Sequence, residues 1–247
     1  MKRIKHFLSL TFVLLMVACN SKPTLDITEA EIDTYIEEKL DVSQIYDILV
    51  SLRYSNNTDT YEVVSYEQED SLVLHFETYN DTEKSLNRSI FYKENLPVYI
   101  EEYEERIIDD GAPLKQRKIY LNGAEVIKAY QKEAATDMDL EQKEFKEYEE
   151  DIDNFDFQKP LDDLNQEGDF ELAFEQYMQI GSSMWLVASN TQSGHNAALL
   201  VLMQDEFIDK TYSDPDAYVG KKVTIYHTFM NYDGVDQMIY EGGELKE

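Results

Sequence analysis

A chain of 247 residues, 43% of them apolar, can bury one or two hydrophobic cores, which argues against wholesale disorder. Its 51 acidic residues against 22 basic ones leave a net charge of −29, which argues against nucleic acid or anionic lipid headgroups as charge-held partners and favours cationic ones. The one cysteine excludes an intrachain disulfide and a cysteine-based metal cluster.

At the N-terminus, Lys2, Arg3 and Lys5 precede an apolar run from Phe7 to Ala18, interrupted by Ser9 and Thr11. The run has the length of a signal-peptide core and falls short of the roughly 20 residues that span a bilayer. It ends in Met16-Val17-Ala18-Cys19, which resembles the lipobox of bacterial lipoproteins, with Met where the motif usually carries Leu. The resemblance implies cleavage before Cys19, a diacylglycerol on its sulfur and a further acyl chain on its nitrogen, enough lipid for a stable membrane anchor. Asn20, the second mature residue, implies sorting to the outer membrane. Residues 1–18 then form a signal peptide and residues 19–27 a lipidated tether.

The expected fold is mostly β, of the α+β class: an N-terminal helix covering an antiparallel meander, then a small barrel. Residues 28–134 form the first unit. Thr28 and Glu31 make a capping box for a helix to Leu40, with Ile32, Tyr35 and Ile36 on one face. From Gln44 to about Lys132 the apolar period falls to two, as in Ile48-Val50-Leu52-Tyr54 and Leu72-Leu74-Phe76. Asn56-Asn57, Asn80-Asp81, Asp110-Gly111 and Asn122-Gly123 punctuate the runs, and the last pair predicts a type I′ hairpin. Short strands with no helices between them give an antiparallel meander, which the first helix covers.

Residues 135–167 break this pattern. Thr136 to Asp156 holds ten acidic residues and a thin apolar stripe of Leu140, Phe145, Tyr148 and Ile152, which reads as a solvated linker helix. Residues 168–247 follow as strands Phe170–Ile180, Met184–Ser189 and Asn196–Met203, a short helix within Asp205–Tyr218, and strands Lys221–Met230 and Val235–Tyr240. That order, with Tyr218-Val219-Gly220-Lys221-Lys222-Val223, resembles an OB-type small β-barrel and implies Trp185 in the barrel core.

The chain carries no H-E-x-x-H, no G-x-S-x-G elbow and no phosphate loop. His75 lies on the polar side of its strand and is expected at the surface. His195 and His227 share the C-terminal unit and could join carboxylates around zinc, and Ser193, His227 and an aspartate could form a triad, only if the fold brings them together. Asp151-Ile152-Asp153-Asn154-Phe155-Asp156 lacks the oxygen ligand and glycine that a calcium loop needs at its fifth and sixth positions. Gly181-Ser182-Ser183 serves a hairpin turn. Tyr99 and Tyr103, flanking Glu101 on one strand face, are the candidate sugar-binding platform, against simple cross-strand pairing. No cofactor or metal ligand set emerges. The sequence therefore points to a non-catalytic binding or scaffolding lipoprotein of the envelope, with lipidation at Cys19 and an envelope protein as partner. An acidic inhibitor or immunity protein for a cationic enzyme, and an envelope hydrolase, are the alternatives.

Overall fold

The computed structural model describes residues 23–41, 43–106, 114–232 and 234–246, so the lipobox and Cys19 lie outside the described residues. In chain order it holds α1 (Glu29–Lys39), β1 (Asp47–Val50), β2 (Tyr54–Asn56), β3 (Asp59–Gln68), β4 (Ser71–Asn80), β5 (Lys84–Lys93), β6 (Leu96–Arg106), β7 (Leu114–Leu121) and β8 (Val126–Ala134). It continues with α2 (Asp137–Gln142), β9 (Lys146–Glu147), α3 (Lys159–Asn165), β10 (Ala173–Ile180), β11 (Ser183–Ser189), β12 (Asn196–Val201), α4 (Glu206–Ser213), β13 (Val223–Tyr232) and β14 (Val235–Leu245).

The fold is mostly β, as the alternating runs imply. The Thr28 capping box forms, with the Thr28 N–H donating to the Glu31 carboxylate at 2.9 Å. One continuous sheet runs in the order β10-β11-β12-β2-β3-β4-β5-β6-β7-β8-β9. β1 adds to β3, and β14 lies parallel to β12 and antiparallel to β13. The sheet does not close into the expected barrel. β12 gives its first residue to β2, through Asn196 and Ser55, and a later one to β14, through Leu200 and Ile239. The segment before β13 returns to the start of β10 over a short stretch, through a bridge between Lys222 and Ala173 and backbone bonds from Val223 N–H to the Leu172 carbonyl and from Phe174 N–H to the Lys221 carbonyl, both 2.9 Å.

The meander is covered on both faces. On one, Ile32 of α1 packs against Phe91, Tyr99 and Tyr120. On the other, Tyr148, Ile152, Phe155 and Phe157 pack over Ile90, Ile100, Ile119, Leu121 and Ala129. The acidic segment is therefore not a solvated linker helix. Its aromatic residues lie on the sheet, and its carboxylates compete with helix formation by binding nearby backbone N–H groups. Asp151 accepts from Asp153, and Asp156 accepts from Gln158 and Lys159. A third core, with Leu52, Tyr54, Tyr61 and Val63 against Phe170, Leu172, Phe174, Leu186 and Leu199, joins the two halves.

The tight hairpin turns fall at Glu69-Asp70 and Glu94-Asn95, whose four φ values of 52°, 59°, 55° and 61° are those of type I′ turns. The Asn122-Gly123 hairpin forms with a longer loop, because the Asn122 side chain accepts from both Ala124 and Glu125 N–H. Among the described residues no helix is long and apolar enough to cross a membrane.

Candidate functional site

β1 and β2 are one strand interrupted at Ser51, and the interruption organises the junction between the halves. Ser51 N–H donates to the Val63 carbonyl at 2.8 Å, but Val63 N–H donates to the Ser51 hydroxyl at 2.9 Å instead of its carbonyl. The released Ser51 carbonyl takes a 2.9 Å bond from His227 Nε2 on β13. Next along the chain, the Arg53 guanidinium pairs with Glu62 at 2.7 Å and stacks over Phe229, 5.0 Å from the ring centre.

Below this joint β1 and β13 diverge and enclose a groove of about 660 Å³, floored by Leu164, Asn165 and Gln166. Gln166 ends α3 in the left-handed conformation. Its side-chain amide donates to the Ile225 carbonyl at 2.8 Å and accepts from Ile225 N–H at 2.9 Å, as a paired strand residue would. β1 carries no such cover. Ile48, Leu49 and Val50 remain 58%, 50% and 37% exposed. Because Ser51 N–H points to β3, antiparallel alternation turns the backbone N–H and C=O of Ile48 and Val50 away from β3, toward the groove.

The residues that floor the groove, Leu164, Asn165 and Gln166, carry no charge. Asp163 on α3 is fully buried, neither carboxylate oxygen has a hydrogen-bond partner in good geometry, and burial pushes its pKa up to about 8 against the pull of Ser51 and Lys159. Burial also lowers the pKa of His227, opposed by its bond to Ser51 and by Glu241. The rim is acidic: Asp47 begins β1, Glu241 lies near His227, and Glu244 accepts from the Tyr226 hydroxyl at 2.9 Å. The rim cations are engaged, Arg53 by Glu62 and Lys246 by the Gln166 carbonyl at 2.7 Å.

The other sequence candidates are used structurally. His75 is not at the surface but fully buried, with Nδ1 3.2 Å from the Tyr92 hydroxyl, because the segment after β9 covers its face; burial depresses its pKa to about 4. Ser193 and His195 meet at 3.1 Å, but both also bind the Asp169 carbonyl, and His195 stacks on Phe170. No contact joins either to His227, so neither the triad nor the zinc pair assembles. Among the described residues no group of three or more His, Cys, Asp or Glu is placed to hold a metal ion. Trp185 does not fill the inner core. Alternation turns Leu186 and Ala188 inward and Trp185 outward, between Met178 and Leu200 on neighbouring strands. Tyr99 is buried under α1, Tyr103 donates to Asp137, and Glu101 accepts from Gln116, so no sugar platform is displayed. Gly181 takes the left-handed conformation in its hairpin turn, as expected.

Sequence reasoning missed Ser51, Asp163 and Gln166. It also missed a buried ion ladder in which Glu102 accepts from Arg88 at 2.6 Å and pairs with Arg117, Arg117 reaches Glu150 at 3.3 Å, and Arg88 lies 3.5 Å from Glu77. The available signal was the cross-strand register of Glu77, Arg88, Glu102 and Arg117 on one sheet face. Comparison of the chain with family models, with curated proteins and with solved structures finds no match.

Proposed function

We propose that this protein is a lipid-anchored, non-catalytic binding module of the cell envelope that takes an extended, cationic segment of a partner protein into the groove between β1 and β13. The open β1 edge carries this reading. Ile48 and Val50 offer unpaired backbone groups beside the exposed apolar side chains of Ile48, Leu49 and Val50, the arrangement that accepts an added strand. An unprotected edge of this kind also invites aggregation unless a partner covers it, so its retention fits a binding role. The neutral floor suits backbone pairing, and the acidic rim selects cationic side chains. Cys19 supplies the anchor, outer-membrane sorting follows from Asn20, and the acidic-inhibitor alternative calls for the same partner chemistry.

The C-terminal half is read as an OB-like unit. Its local order β10-β11-β12-β14-β13, the parallel β12–β14 contact, α4 between β12 and β13 and the Ala173–Lys222 bridge support this.

Fluorescence anisotropy of the full-length protein with a labelled ten-residue peptide of alternating Lys and Val tests the groove. Saturable binding is expected, weakened at least ~10-fold by Ile48→Pro, which removes an outward donor and leaves the β1–β3 ladder intact. Binding unchanged in Ile48→Pro and Val50→Pro refutes strand addition at β1. For the anchor, labelled palmitate is expected on the wild-type chain and not on Cys19→Ala.

A further inference from the structure

The described chain begins pinned to one end of the meander. Leu25 N–H donates to the Asn122 carbonyl at 2.7 Å. A Cβ on Gly123 would stand 3.2 Å from both the Pro23 carbonyl and Leu96, so these three residues crowd together. Antiparallel order places the turns Glu69-Asp70, Glu94-Asn95 and Asn122–Glu125 at this same end. β1 also starts there, with Asp47 opposite Glu67, and Lys39 at the end of α1 bonds Gln68 at 2.7 Å. Leu40 and Ile45, 60% and 85% exposed, belong to the link between α1 and β1 at this end. The opposite end carries the β2–β3 and β4–β5 turns, about 33 Å away along a ten-residue strand.

Cys19 precedes Pro23 by four residues, which reach ~14 Å at full extension. Five strand steps of about 4.8 Å separate β7 from β1, so the β1 edge lies ~24 Å sideways from the tether. Glu67, Glu69, Asp70, Glu94 and Glu125 crowd this end, and their charge keeps it from embedding among anionic headgroups. The result is a narrow gap between the sheet end and the lipid, with the groove beside it.

We infer that the anchored protein stands with its Glu69-Asp70, Glu94-Asn95 and Asn122–Glu125 turns toward the bilayer, and that β1 takes a juxtamembrane segment of a membrane-bound partner. This rests on the lipid-anchored, strand-binding reading above.

The test uses the full-length lipidated protein in phosphatidylcholine vesicles that carry a headgroup-borne quencher. With Cys19 acylated, one introduced cysteine is the free thiol that takes a fluorophore. Ile45→Cys and Ser71→Cys report the tether end; Thr58→Cys and Glu83→Cys report the far end. Strong quenching at the first pair and little at the second is expected. Equal quenching at both ends, or stronger quenching at the far end, overturns the orientation. Failure of the protein to join the vesicles at all refutes the anchor instead. In the same vesicles, a Lys-Val peptide joined to its acyl chain by four glycines should be captured, and Ile48→Pro should abolish capture. Capture only through a spacer of about 20 residues overturns the juxtamembrane assignment; failure of the wild-type protein to bind the free peptide refutes the groove itself.

Discussion

Asp163 shows how one buried side chain sets a pH dependence. Its folded pKa of about 8 lies above the ordinary aspartate value, so the folded chain holds a proton that the unfolded chain releases. Stability is therefore full below about pH 4 as far as this group is concerned, declines as pH rises from about 4 to about 8, and is flat above that. Asp163→Asn keeps the shape without the charge. It should stabilise the protein by ~5 kcal/mol at pH 8, with the gain vanishing toward pH 4, in urea melts run across that range. A gain that is the same at both pH values would assign the effect to packing. Glu77, also raised by burial, adds to the alkaline decline. His75 and His227, depressed by burial, act oppositely and cost stability as pH falls below about 6.5. None of this was legible in the sequence. An aspartate among 51 acidic residues carries no mark of burial, and Ser51 and Gln166 act through chain segments far from them in sequence.

At the scale of elements, the segment between β8 and β10 is a strap, and two forces hold it down. Burying Phe155 contributes about 2 kcal/mol. The Arg117–Glu150 pair, 3.3 Å apart and partly exposed on the arginine side, contributes ~1 kcal/mol or less. Packing therefore dominates. Phe155→Ala should raise amide hydrogen exchange through the strap by about 10-fold or more while β5–β7 keep their protection, whereas Glu150→Gln should change exchange little. Strand and helix positions were legible, because alternation at period two and the Thr28 capping box are local signals. The strap was not, because four apolar residues scattered through an acidic stretch look solvated until a sheet face needs them. Barrel closure was misjudged for a related reason: the order of C-terminal strands is local, but the pairing of β12 with β2 spans 141 residues.

For the whole molecule, a net charge of −29 governs encounters. The cationic peptide should associate faster at low salt, and raising salt from about 20 to 500 mM should weaken its binding ~10-fold or more, mainly through the association rate, as stopped-flow mixing would show. Salt-independent binding would leave the acidic rim without a role. On the proposed reading, the charge outside the groove would steer a cationic partner and β1 would supply the specific contacts.

The junction between the halves has a consequence for the order in which the chain folds. Its bonds join residues distant in sequence: Asn56 to Ser193 over 137 positions, Ser55 to Asn196 over 141, and Ser51 to His227 over 176. Hairpins such as β4–β5 and β13–β14 close over a few residues and form early, whereas loops of this length close late because their entropy must be offset before any contact rewards it. Until then β2 and β12 each present a bare edge. The last step of folding is therefore the one that hides the chain's second sticky edge, and a chain slowed at that step is the one that aggregates.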